Sequence, residues 1–173
     1  MRALVVYESM WGNTEQVARA IADGIRETCT VDVVDVAQAP AEPGDDVSLV
    51  VAGGPTHAFS MSKSATRAEA HHRGADHGSD AVGIREWLDA LPAGRHPQAV
   101  ATFDTKVDRM KHLPGSAAKK AEKVAARHGF DRADHAHSFF VADTDGPLVA
   151  GELERATAWG RELATTARRA PAR

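Results

Sequence analysis

Cysteine is almost missing from this sequence: Cys29 is the only one among 173 residues. A lone cysteine closes no internal disulfide, so a reducing, cytoplasmic setting is the expectation. Aromatic residues are also scarce, at 5%, with a single Tyr. No apolar run approaches the ~20 residues that span a bilayer, which argues against a membrane protein. The opening run Met1–Tyr7 is too short for a secretory signal, and no cleavage site follows it. Charge of one sign is lacking as well. The formal net charge is -3, which argues against a general nucleic-acid binder. Repeats and dividing linkers are absent, and the length suits one core. A single domain is expected over residues 1–168, with an Arg-rich, frayed tail over 169–173.

What remains is an alternation of apolar runs and helical patterns. Ala3–Tyr7 is short and β-branched, as in a parallel strand covered on both faces. Asn13 or Thr14 then caps a helix in which Val17, Ala18, Ile21 and Ile25 share a face. Val31–Val36 alternates apolar and polar residues and reads as a second, edge strand. Pro40–Asp46 is a turn-rich connection. Val47–Ala52 is a third strand, ending at Gly53-Gly54-Pro55. A polar stretch follows from Thr56 to Asp80, with room for a short helix from Ser62 or Ser64 to Gly74. Asp80 is placed to cap a helix with Ile84, Trp87, Leu88 and Leu91 on one face, stopped by Pro92. Gln98–Phe103 is a fourth strand. Ser116 caps a helix that Gly129 ends. Ser138–Ala142 is a fifth strand, and Leu148 to about Arg168 a last helix, with Leu153, Ala156, Trp159 and Leu163 inward.

Such alternation predicts an α/β fold with right-handed crossovers: a doubly wound, five-stranded parallel sheet of order 2-1-3-4-5, helices on both faces. Ligands then bind beyond the carboxyl ends of the strands, at the switch point between the first and third. The loops to inspect follow Tyr7, Ala52, Phe103 and Ala142.

After the first strand the chain reads Glu8-Ser9-Met10-Trp11-Gly12-Asn13-Thr14. Ser9 and Thr14 carry hydroxyls, Gly12 permits a tight turn, and the helix that begins here aims free N–H groups and a positive dipole end into the loop. That is a phosphate cradle of amides and hydroxyls. It holds no Lys or Arg. Nucleotide hydrolases use G-x-x-x-x-G-K-S/T, with a lysine on the β and γ phosphates, and dinucleotide sites use G-x-G-x-x-G. Neither occurs, so the loop suits a monophosphate.

The segment resembles the flavodoxin phosphate loop, S/T-x-S/T-G-x-T, in which the FMN phosphate is held by neutral donors. Ser9, Gly12 and Thr14 match, and Asn13 is common there. Trp11 departs from the pattern, where a hydroxyl is usual; its indole N–H is the available donor. The resemblance implies a flavodoxin-like fold with FMN as cofactor and Ser9, Met10, Trp11, Gly12, Asn13 and Thr14 around the phosphate. It further implies that the flavin ring lies between the loops after the third and fourth strands. In the first of these, Pro55 and Thr56 match the family's Gly-Pro-Thr, and His57 and Phe59 stand where ring contacts usually lie. In the second, Thr102, Phe103, Asp104, Thr105 and Lys106 are the expected contacts. That loop has no Tyr to stack on the ring and mixes Lys106, Arg109 and Lys111 with Asp104 and Asp108. The polar stretch Thr56–Asp80 is expected to be solvated. Its His71, His72 and His77 lack an ordered ligand spacing, so no metal site is assigned.

No Ser/His/Asp or Cys/His set stands out, and no catalytic residue is assigned. The leading expectation is a non-catalytic FMN electron carrier that works with a redox partner protein, a reductase or an acceptor, without nucleic acid or membrane. Two alternatives share the scaffold: an FMN-dependent NAD(P)H:quinone-type oxidoreductase, with Thr56–Asp80 roofing a substrate pocket, and a flavodoxin-like module that has lost FMN. A receiver domain fits poorly, because Glu8 and Gly53-Gly54 stand where its acidic residues would be.

Overall fold

A computed structural model describes residues 1–169, with the side chain of Arg169 excepted. Strand β1 (Arg2–Tyr7) leads into helix α1 (Asn13–Arg26), then β2 (Thr30–Asp35), β3 (Val47–His57) and a two-residue β4 (Ser60–Met61). Helices α2 (Ser64–His72) and α3 (Ile84–Ala90) follow. Then come β5 (Ala99–Val107), α4 (Ala117–His128), the short β6 (Asp131–Arg132), β7 (His137–Val141) and α5 (Glu152–Arg169). The expected tail therefore begins inside α5, and residues 170–173 lie outside the described residues.

The sheet runs β2-β1-β3-β5-β6, all parallel, with β7 pairing β5 further along the same edge. Two short strands thus share the fifth position, and the doubly wound order 2-1-3-4-5 holds. Side-chain alternation along β1 explains the two cores. Ala3, Val5 and Tyr7 join α1 and α5 through Val17, Ile21, Ile25, Trp159 and Leu163. Leu4 and Val6 face α3 and α4 through Ile84, Trp87, Leu88, Ala121 and Val124. The α1–α5 crossing is close because two glycines face backbone. A Cβ on Gly24 would lie 2.1 Å from Thr157 O, and one on Gly160 2.1 Å from Ile21 O.

Several local expectations change. β3 continues past Ala52 to His57, and β5 past Phe103 to Val107, because the two strands keep pairing as far as Pro55 and Thr105. Gly53 tolerates this pairing under the Phe103 ring, where any Cβ would sit 2.3 Å from it. Asp80 does not cap α3. Gly83 does, with Glu86 Oε2 accepting its N–H at 2.9 Å. Neither Asn13 nor Thr14 caps α1; Gly12 holds that position. Leu153 is 38% exposed rather than inward: α5 starts at Glu152, so Leu153 lies in its first turn, ahead of the buried Ala156, Trp159 and Leu163.

The stretch Thr56–Asp80 holds the expected short helix and, though exposed along much of its length, is ordered against the domain. It forms β4, α2 and a connection that packs back on the domain. Met10 and Ala70 and Ala75 make a small apolar cluster. Arg67 is fully buried: Nε and Nη2 donate to Asp80 O at 3.2 and 3.0 Å, Nη1 donates to Ser62 Oγ at 2.8 Å, and Nη2 pairs with Glu86 at 3.1 Å. No described helix is long and apolar enough to cross a membrane.

Candidate functional site

The carboxyl ends of β1, β3 and β5 open on a cavity of about 410 Å³, within the usual size range for small-molecule sites. Its floor and walls come from Trp11, Asn13, Thr14, Pro55, Thr56, His57, Phe59, Thr105 and Lys106. Helix α2 closes one side with Ala65, Thr66, Glu69 and Arg73. The short helix expected from Ser62 or Ser64 is this roof, although the polar stretch carries no motif that names its lining residues.

At one end stands the loop before α1. Gly12, at φ 79°, is the N-cap and brings no side chain to the first-turn amides. A left-handed residue there reverses the chain in the smallest space, and glycine adopts it without strain. Ser9 is 1% exposed, yet its Oγ has no hydrogen-bond partner. Trp11 Nε1 is likewise buried and unpartnered. Buried donors normally find acceptors, and each orphan costs roughly 1–3 kcal/mol. Two orphaned donors beside an uncapped helix N-terminus describe a place for an anion. Other loop side chains are engaged elsewhere. Thr14 Oγ1 and Thr105 Oγ1 share a hydrogen bond of 2.7 Å, which ties the loop to β5. Asn13 Nδ2 donates to Asp145 O at 3.0 Å. Met10 packs with Ala70 and Ala75 and lines the cavity on the α2 side.

The far wall is a hairpin. Thr56 and His57 pair antiparallel with Met61 and Ser60, so Ala58 and Phe59 form a two-residue turn. Both have positive φ, 46° and 65°, in a turn type that favours Asn and Gly. Such backbone costs of order 1–2 kcal/mol per residue and is held from behind by Gly115, where a Cβ would lie 2.4 Å from Phe59 O. Phe59 is 48% exposed at the cavity mouth. His57 Nδ1 lies 3.1 Å from Thr66 Oγ1. Burial, and secondly the nearby Arg67 charge, push the His57 imidazole below its usual pKa, so the ring is neutral at pH 7.

The β5 residues divide. Thr105 and Lys106 line the cavity. Thr102, Phe103 and Asp104, expected as ring contacts, lie beneath it. Thr102 Oγ1 donates to Ala118 O at 3.0 Å, and Phe103 is a core residue at 0% exposure. Asp104 Oδ2 accepts from Thr56 Oγ1 at 2.8 Å, Ser116 Oγ at 2.6 Å and the Ala118 amide at 3.0 Å. It anchors the N-terminus of α4 and sets the rotamer of Thr56. The Lys106 ammonium is nearly buried and donates to Leu113 O at 2.8 Å and Gly115 O at 3.1 Å. Those partners are carbonyls, so its charge stays uncompensated at the cavity wall.

Glu8 was missed as a structural hub. It is 1% exposed, and Oε2 accepts the Ile84 amide at 2.9 Å. Burial pushes its carboxyl above the usual range, against the pull of Ser62, the Ile84 amide and Arg67. Cys29 lies beyond α1, away from the cavity, and burial raises its thiol. Among the described residues, no group of three or more His, Cys, Asp or Glu side chains gathers to hold a metal ion.

The comparisons agree with this architecture. The Flavodoxin family model matches residues 5–82, which include the loop after β1 and the hairpin after β3. No curated protein matches the sequence. A flavodoxin from the domain Archaea is 20% identical, with a TM-score of 0.62 over 97% of this chain and 99% of its own. Oxidised flavodoxin 1 from Bacillus cereus is 18% identical, with a TM-score of 0.68 over 95% and 98%. The rubredoxin oxygen:oxidoreductase of Desulfovibrio gigas is 17% identical at a TM-score of 0.65, and this chain covers 96% of itself but 36% of that one. With that strand order and those neighbours, the chain has a flavodoxin-like fold, and its first half resembles the Flavodoxin family in sequence.

Proposed function

We propose that the chain binds FMN and carries electrons between redox partner proteins. The observation that carries this reading is the pair of buried, unpartnered donors, Ser9 Oγ and Trp11 Nε1, beside the uncapped N-terminus of α1. A phosphate there would satisfy both, together with the amides that follow Gly12 and without a lysine. The adjoining cavity suits a planar, largely apolar ring: Pro55, Ala58, Phe59 and Trp11 offer apolar surface, and Thr56, His57, Thr105 and Lys106 offer polar groups.

Bound FMN would supply the redox chemistry, and the protein supplies binding, orientation and electrostatics. Trp11 and Phe59, which line the cavity, would shield a bound ring from water. The uncompensated Lys106 ammonium favours added negative charge in the cavity and so raises the potential. The Thr14–Thr105 hydrogen bond ties the loop before α1 to β5 and would keep the two ends of the site in register.

A second reading, an FMN-dependent NAD(P)H:quinone-type reductase, is favoured by one feature: α2 roofs the cavity, leaving His57 inside an enclosure rather than on an open face. A cytoplasmic location accompanies either reading. The test is an absorption spectrum of the FMN-loaded protein, then stopped-flow reduction. Slow reduction by NAD(P)H that a flavodoxin reductase accelerates supports the carrier. Fast direct reduction by NAD(P)H supports the reductase. A protein that takes up no FMN refutes both.

A further inference from the structure

The connection between α2 and α3 lies directly on the loop before α1. His77 N–H donates to Met10 O at 3.3 Å. Gly78 packs so closely that a Cβ would lie 2.8 Å from Ser9 O. The His77 ring reaches the turn itself: its Nε2 is 3.5 Å from where a Cβ on Gly12 would stand. A clamp fixes this placement. His71 donates through Nε2 to His77 O at 2.8 Å and through Nδ1 to Asp80 at 2.6 Å. Acceptors on both nitrogens favour the imidazolium, and the pKa is raised first by His77 O and then by Asp80.

We propose that His77 is a phosphate-contacting residue of the FMN site, supplying a ring N–H donor from outside the loop. This rests on the FMN reading above. Ser9 Oγ, 1% exposed and unpartnered, marks the acceptor's place independently of the helix end. His77 Nε2 lies against Gly12, the residue from which the α1 amides depart. Its present neighbour is the Asp76 carboxylate at 3.4 Å, which is 83% exposed and free to turn to water when an anion takes that nitrogen. The α2–α3 segment is therefore part of the binding site rather than a bystander, and the His71 clamp is its positioning device.

The test compares FMN with riboflavin, which lacks the phosphate, by fluorescence-quenching titration of the wild-type protein and of His77→Ala and His77→Gln. The expected result is a rise of about tenfold in the FMN Kd for His77→Ala, as for loss of one hydrogen bond to a charged group. The riboflavin Kd should stay unchanged, and His77→Gln, which keeps an N–H donor at similar reach, should recover most of the loss. His77→Ala that keeps the full wild-type preference for FMN over riboflavin overturns the contact while leaving the FMN reading intact. Equal loss of both flavins also overturns it, since that is a packing effect. Wild-type protein that binds neither flavin overturns both.

Discussion

Replacing Arg67 by Met keeps the side chain's length and apolar stem but removes its charge and every donor. The guanidinium is 0% exposed and does two things at once: it joins Asp80 O and Ser62 Oγ, and it pairs with Glu86. Breaking a fully buried ion pair costs roughly 3–5 kcal/mol. Glu86 is 37% exposed, so water takes over part of its solvation, and the pair deserves the lower end of that range. The Asp80 carbonyl and Ser62 hydroxyl lose buried partners at about 1 kcal/mol or more each. A loss of about 3 kcal/mol is expected, a large share of the 5–15 kcal/mol typical of a domain. The loss should be local before it is global, because Arg67 ties α2 to the 80–86 segment while both main cores remain intact. Urea unfolding of apo protein measures the total, and amide hydrogen exchange places it: α2 should lose protection while β1 and β3 keep theirs. A midpoint shift under about 0.5 kcal/mol, with α2 protection unchanged, would refute the reasoning.

Three further outcomes are expected. The His71 imidazole should titrate above the usual value of about 6.5 in NMR, and Asp80→Asn should lower it. Its folded-state pKa is raised, so the clamp's contribution is full below about 6.5 and is lost as pH rises through the raised value; a midpoint at or below 6.5 contradicts this. Ala58→Gly should stabilise the apo protein by about 0.5–1 kcal/mol, since relief of left-handed strain exceeds glycine's entropy cost; thermal melting that shows destabilisation contradicts it. Lys106→Met should make FMN harder to reduce. A cation held at the wall of a partly desolvated cavity acts more strongly on added negative charge than one in water, so the downward shift should be on the order of tens of mV. A potentiometric titration with no downward shift rejects that role.

The order of strands was legible because each apolar run is bounded by strong signals. Ala3–Tyr7 alternates between the two cores as a doubly covered strand must, and Ser116 and Gly129 cap α4 as their chemistry suggests, Ser116 accepting the Lys119 amide and Gly129 turning at φ 94°. The loop before α1 was legible as a turn with donors, while the state of those donors was not: only packing shows Ser9 Oγ orphaned and Thr14 bound to Thr105. Gly53-Gly54-Pro55 read as a strand end because Gly and Pro break strands locally, yet pairing with β5 overrides that tendency. Thr102 and Asp104 were expected at the cavity because the resemblance sets the loop after the fourth strand against the ring, while polar residues rarely go inward. They do so here because the first turn of α4, far along the chain, satisfies them. Arg67 was invisible for the same reason: its partners Asp80 and Glu86 come 13 and 19 residues later, and nothing local marks a buried guanidinium.

The measurement that tests the central claim most directly is titration of apo protein with FMN and, separately, FAD, read by flavin fluorescence. If the loop of residues 9–14 seats a single phosphate, FMN is quenched to saturation at one equivalent while FAD binds far more weakly. Unquenched FMN, or equal affinity for the two, would contradict the assignment.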